Sequence, residues 1–559
     1  MKPINMKNAT FKTQLLLAVV VVATLLLATG AFAAAPGITG TGSTAGTFNL
    51  TAQDAYLNQP DGAAVYSWGY GCANGSAPTF LPKATFAFAP QCPTMQVPGP
   101  TIVVTEGQTV TVNLTNNLPT AAGNTSILFP GFNVTTSGGV AGLLTQEAAP
   151  GATVTYTFTA SAPGTHAYYS GTQGDLQIEM GLYGAVIVLP SAVPASCNST
   201  VTNLYGKSDY GTAHAIPGFP EQDFRLAHAA YDHPKSCYDR EYLFQWAEMD
   251  SRIHRQALAQ VTALQGCTAG APGCSLNVQT EPYHPSYFLI NGRSMPDLMD
   301  PNYASEYPHQ PYNGNPHMHP GELTLIRTIG QGRWQHPFHE HANHVRILAR
   351  DGNLILSPGN PALGIAPGTN LAGILMFNTD TTPGESFDGI FYFSGRGLNW
   401  DPYGHHPGTS NDAQALVTCT PDANGYNTGN TAALNYYEWC QDHDKPVQVA
   451  PFGDVAAGGP ATLPDPNVFT NGAWYGGSPY LGPDATLRGS HAACDTTLNA
   501  NCTDLQPSNV QANPANERGW AFMWHSHNER EITTNNVFPG GMLMMMLVDS
   551  REFAIDESL

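Results

Sequence analysis

The chain has 559 residues, enough for two or three domains. Charged residues make up only 11%, while glycine and proline number 57 and 45, which describes a rigid, loop-rich, mostly β protein and argues against disorder. A formal net charge of −21 argues against nucleic acid and anionic membrane surfaces as partners and gathers cations only diffusely.

At the N-terminus, Lys2, Lys7 and Lys12 precede an apolar run, LLLAVVVVATLLLA at 15–28, and AFA at 31–33 supplies a small-x-small cleavage site. The run is short for a membrane span, so residues 1–33 read as a signal peptide cut after Ala33; an uncleaved anchor is the alternative. The expectation is a secreted, periplasmic or cell-surface protein with no integral membrane segment after cleavage. All ten cysteines follow that site and fall as near neighbours. Cys72 with Cys92, Cys197 with Cys237, Cys267 with Cys274, Cys419 with Cys440 and Cys494 with Cys502 are the expected disulfides. No thiolate would then remain to bind a metal.

Residues 47–190 read as a first β domain. PGPTIVVTEGQTVTVNLTNNLP (98–119) holds two strand-like runs joined at Glu106-Gly107, GATVTYTFTA (151–160) alternates, and GLYGAVIVLP (181–190) suits a buried last strand. Residues 191–237 read as a connector. A second β domain, 238–552, opens on REYLFQWAEMD (240–250). A helix is expected over 251–266, where Ile253, Ala257, Val261 and Leu264 share a face. Strands are expected at 287–297, 321–330 and 344–356, and a closing pair at 519–527 and 541–549. Residues 400–515, rich in Gly, Pro, Asn and Asp, read as a long disulfide-pinned insertion.

Two stretches carry the chemistry. HPFHEHANH runs from His336 to His344, and FMWHSHNERE holds His525-Ser526-His527. Histidines two apart on a strand share a face, so His339, His341, His525 and His527 form two pairs that would converge if their strands are neighbours. Four neutral imidazoles suit Cu(II) or Zn(II), and without thiolates the affinity order favours copper.

These stretches resemble the two copper-binding signatures of the multicopper oxidases, a family of tandem cupredoxin-like, Greek-key β-sandwich domains. PGPTIVVTEGQTVTVNLTNNLP, GLYGAVIV and INGRSMPD resemble it as well. The resemblance implies an all-β fold of two such sandwiches, the second enlarged by 400–515, and an oxidoreductase with impaired or altered chemistry. In the family, the residue at His336 and the cysteine of His-Cys-His bind a blue copper. That cysteine falls on Ser526, and a further histidine ligand falls on Glu531. The family's trinuclear cluster takes two more His-x-His pairs from the first domain. TSILFPGF (125–132) places Leu128 and Pro130 there, and GTHAYYSG (164–171) places Tyr169 and Gly171. Some two-domain relatives complete the cluster between subunits, but a homo-oligomer of this chain would supply the same Leu128 and Pro130.

The resulting expectation is an exported copper-binding protein with a reduced site. His336, His339, His341, His525 and His527 are the candidate metal residues, and Ser526, Glu531 and Glu340 their supports. Ser526, His336 and Glu531 are alternatively a polar network on the other face of the strand, or a Ser-His-acid hydrolase triad. His317 and His319, in NPHMHPGE, are a candidate minor metal site about 25 Å away, with a solvent-facing turn as the simpler reading. Met542, Met544 and Met546 alternate on one strand and are expected in the core. No catalytic residue can be named. A metal-free fossil site, a non-catalytic structural or assembly protein, and a metal-ion oxidase such as one for manganese are the alternatives.

Overall fold

The computed structural model describes residues 35–41, 44–81, 92–197, 224–393, 395, 420–429, 439, 477–480, 519–549 and 555. The expected signal peptide, the paired histidines 405 and 406, and most of the 400–515 insertion lie outside them.

The chain forms two β sandwiches in tandem. In the first, one sheet runs through Gly164–Tyr169, Tyr183–Leu189, Ile102–Thr105 and Gly37–Thr41. The facing sheet runs through Ala64–Cys72, Thr47–Asn58, Thr109–Asn116, Thr153–Thr159 and Thr135–Gly138. Alternation explains the layering: along Thr153–Thr159, Val154, Tyr156 and Phe158 are buried while the threonines between them are not. The two runs of residues 98–119 do not pair with each other. Ile102–Thr105 pairs in parallel with Tyr183–Leu189, and Thr109–Asn116 joins the opposite sheet, so the turn at Glu106-Gly107 carries the chain between layers. Gly107 has φ +81°, a left-handed conformation that favours glycine at this crossing.

In the second sandwich one sheet is ordered Tyr287–Ile290, Arg240–Met249, Leu323–Gly330, Ser386–Tyr392, Val345–Arg350. The other is ordered His317–Met318, Leu543–Asp549, Gly519–Ser526, His336–Glu340, Asn378–Thr381. From the insertion, Gly477–Tyr480 adds a strand against Gly519–Ser526. Between the sheets lie Trp246, Phe338, Trp524, Met542, Met544 and Met546. The three methionines are therefore core residues, as expected.

The helix spans Ser251–Ala263, and the Asp250 side chain caps it by accepting from the Arg252 amide. Its buried face, Ile253 and Ala257, packs into the core of the first sandwich, although the helix follows a strand of the second. The supposed connector also contributes to the fold: Tyr231 donates to Asp388 Oδ2 at 2.5 Å inside the second sandwich. Three disulfides match the expected pairs, Cys72–Cys92, Cys197–Cys237 and Cys267–Cys274. The other four cysteines lie outside the described residues.

Candidate metal centre

His336–Glu340 and Gly519–Ser526 are antiparallel neighbours, and the register sets His339 opposite His525. His339, His341 and His525 fall on one face of this strand pair, so three imidazoles meet. The ligand nitrogens of His339, His341 and His525 all lie within 4.8 Å of one another. His525 Nε2 is 3.3 Å from His341 Nε2. Metal–nitrogen bonds of about 2.0–2.1 Å place two imidazole nitrogens on one tetrahedral ion about 3.3 Å apart, so this pair fits a shared ion. The Nδ1 of His339 is buried and has no hydrogen-bond partner. His527 is exposed, its ring centroid 4.8 Å from that of His339. It stands at the edge of the group.

Burial, then the neighbouring imidazoles His341, His525 and His527, push His339 down to about 4. Burial likewise lowers His525. Both rings are thus neutral at pH 7, the form that binds a metal.

The inner face of the same strands is different. His336 is fully buried, with Nδ1 donating to Glu531 Oε2 at 2.8 Å and Nε2 donating to Glu248 Oε2 at 2.9 Å. Burial alone would lower its pKa, but the two carboxylates outweigh that and hold it up at about 9. The Ser526 hydroxyl donates to Glu531 Oε2 at 2.5 Å, and Asn528 Nδ2 donates to Glu531 Oε1 at 2.9 Å. This is the polar network expected on the far side of the strand. Its geometry does not make a nucleophile, because Ser526 donates to the acid rather than to the imidazole, so no base faces its hydroxyl.

The network extends further than the sequence revealed. Glu248 Oε1 accepts the amides of Arg333 and Trp334 at 2.8 and 2.9 Å. The Tyr283 hydroxyl lies 3.1 Å from Glu248 Oε1 and 2.6 Å from Glu179 Oε2. Glu179, from the first sandwich, is fully buried, which raises its pKa. Glu248, Tyr283 and Glu179 lie far apart in sequence, and nothing in their local pattern marks them. Glu340 points away from the histidines into the core, where Thr379 Oγ1 donates to its Oε1 at 3.2 Å and burial holds it well above the usual carboxylate range.

His317 and His319 correct the turn reading. Each is only 1% exposed. Parallel pairing of His317 with Leu547 and hydrogen bonds between Tyr242 and the His317 backbone draw the segment inward. The His319 amide donates to Glu322, which is ion-paired with buried Arg240 at 2.6 Å. His317 lies four residues along the sheet from the level of His525, about 13 Å, and two strands across, about 10 Å, which is nearer than the expected separation.

In the first sandwich, the segments that the resemblance aligned with histidine pairs do meet. The Leu128 amide donates to the Tyr169 carbonyl at 2.7 Å. They carry packing groups there: Phe132 stacks on Phe158 and Phe129 lies tilted against it, with ring centroids 4.8 and 4.9 Å away.

A family model described as multicopper oxidase matches residues 94–193. An L-ascorbate oxidase of Brassica rapa subsp. pekinensis is 42% identical over 96 residues, 17% of this chain and 16% of the relative. A laccase of Aspergillus fumigatus is 37% identical over 98 residues, again 17% of this chain and 16% of the relative. Over residues 94–193 the chain is similar to the multicopper oxidases. The matched segment spans about a sixth of these relatives' own length. A solved structure of a blue copper oxidase from Nitrosomonas europaea aligns at TM-score 0.41 and 15% identity, covering 90% of this chain and 85% of that one. The multicopper oxidase match falls on the first sandwich, the one holding Leu128, Pro130, Tyr169 and Gly171.

Proposed function

We propose that this multicopper oxidase relative is an exported copper-binding protein with one imidazole centre in its second sandwich. His339, His341 and His525 would hold the metal, with His527 at its edge. The observation that carries this is the 3.3 Å separation of the His341 and His525 Nε2 atoms. Copper bound there would supply one-electron redox chemistry. The chain's own part is to keep the imidazoles neutral, fixed by strand register, and walled on one side by Phe377, whose ring centroid is 5.8 Å from that of His339. His336 is a structural cation in this reading, since both its ring nitrogens hold carboxylates. His317 and His319 would be structural as well. The disulfides support the export reading.

The test is metal content with paramagnetic resonance on protein purified without added copper, then reloaded. One copper per chain, lost in a His341→Ala/His525→Ala variant of unchanged fold, is expected. Three tightly bound coppers per chain, or laccase-like turnover, would refute the reduced site. The second reading is a non-catalytic sandwich. What favours it is the inner network, which fills the family's blue-copper position with an ion pair. A zinc-only or metal-free protein would support it.

A further inference from the structure

A cavity of about 470 Å³ opens on the second sandwich between the Val345–Arg350 strand, the Ser386–Tyr392 strand and the segment around Asn370. It lies within the size range of small-molecule sites, roughly 300–1,000 Å³. Leu323, Leu348, Leu371 and Ile390 make an aliphatic wall. Lys235, Arg346 and His344 also line it, and among the described residues no carboxylate does. In a chain of net charge −21 with 21 lysines and arginines, this grouping of cations without acids runs against the average surface.

The cations are held in place. Arg346 Nη1 donates to the Gly373 carbonyl at 2.9 Å, and the Lys235 ammonium donates to the Asn370 side chain. Beside the cavity, Ile374 and Leu375 remain 65% and 55% exposed, a cost that an apolar ligand would relieve.

We propose that this cavity binds an amphiphilic organic anion, an aliphatic carboxylate whose chain lies on the leucine wall and whose head group meets Lys235 and Arg346. His344 belongs to the cavity, and its ring is 5.0 Å from Phe377, which in turn flanks His339. A ligand here sits one aromatic ring from the candidate metal centre. The binding proposal itself does not depend on copper.

The experiment is calorimetric titration of the full chain, with and without copper, using decanoate, decanol and decyltrimethylammonium. Decanoate should bind at least tenfold more tightly than either analogue. Arg346→Glu and Lys235→Gln should each weaken decanoate by about tenfold, while Leu371→Trp, which fills the wall, should abolish it. Equal binding of decanoate and decanol, preference for the cation, or no binding of any probe would overturn the proposal. So would decanoate affinity unchanged in folded Arg346→Glu and Leu371→Trp variants. The three-probe comparison on the unaltered chain decides the question even if a variant fails to fold.

Discussion

Ser526 donates to Glu531, and Glu531 also accepts from His336 and Asn528. Ser526 thus serves an ion pair. Ser526→Cys alone should therefore give no intense blue band on copper loading, since His336 stays locked between two carboxylates. Visible absorption of the loaded variant checks this, and a strong thiolate-to-copper band would show that His336 is free to rotate. His336→Ala leaves Glu248 and Glu531 buried without their cation and should cost about 3–5 kcal/mol in denaturant unfolding. The pH dependence has a definite sign. With a folded pKa of about 9 against about 6.5 unfolded, the His336 contribution is full below about pH 6.5 and is lost as pH rises through about 9. It amounts to on the order of 3 kcal/mol. Unfolding midpoints between pH 6 and 10 should fall in the native chain, with a shallower slope in His336→Ala.

Among the elements, the histidine strands work by register. Pairing His339 with His525 puts the candidate ligands on one face and Phe338, Trp524 and His336 on the other, and a shift by one residue would exchange the two sets. The helix acts as a clasp between sandwiches. Asp250 caps it, accepts the His284 amide at 2.9 Å, and donates its own amide to Glu179 Oε1 at 2.6 Å. Asp250→Ala should cost about 1–2 kcal/mol from the lost cap, measured by thermal unfolding. Asp250→Asn, which keeps the capping oxygen, should recover most of it.

Across the whole molecule, the two sandwiches meet at a buried polar seam. Thr165 Oγ1 of the first donates to Asp388 Oδ1 of the second at 2.6 Å, Ser386 Oγ donates to the Thr165 carbonyl at 2.5 Å, and Arg327 Nη1 donates to Thr165 Oγ1 at 3.2 Å. Asp388→Ala removes the acceptor for both Thr165 and Tyr231. Two calorimetric transitions in place of one is the expected outcome, since each sandwich has its own core. A single transition shifted to lower temperature would show that other contacts couple the two.

Most of the strands, the helix, the three described disulfides and the shared face of His339, His341 and His525 were legible in the sequence, while His527 stands exposed at the edge of that group. Each depends on a short-range rule: alternation along a strand, helical periodicity, or neighbouring cysteines. The partners of His336 were only half legible. Glu531 stands five residues from Ser526 and was in view, whereas Glu248 approaches from a strand 88 residues away that Leu323–Gly330 separates from Ser386–Tyr392 in the facing sheet. The same limit explains His317 and His319, whose polar, proline-flanked segment reads as a turn. Only the parallel pairing with Leu543–Asp549 and the Arg240–Glu322 pair bring it inside. Local pattern determined which side chains share a face, because that is a property of the backbone period. Which face meets which charge was decided by sheet order, because burial and ion pairing depend on residues that are remote along the chain.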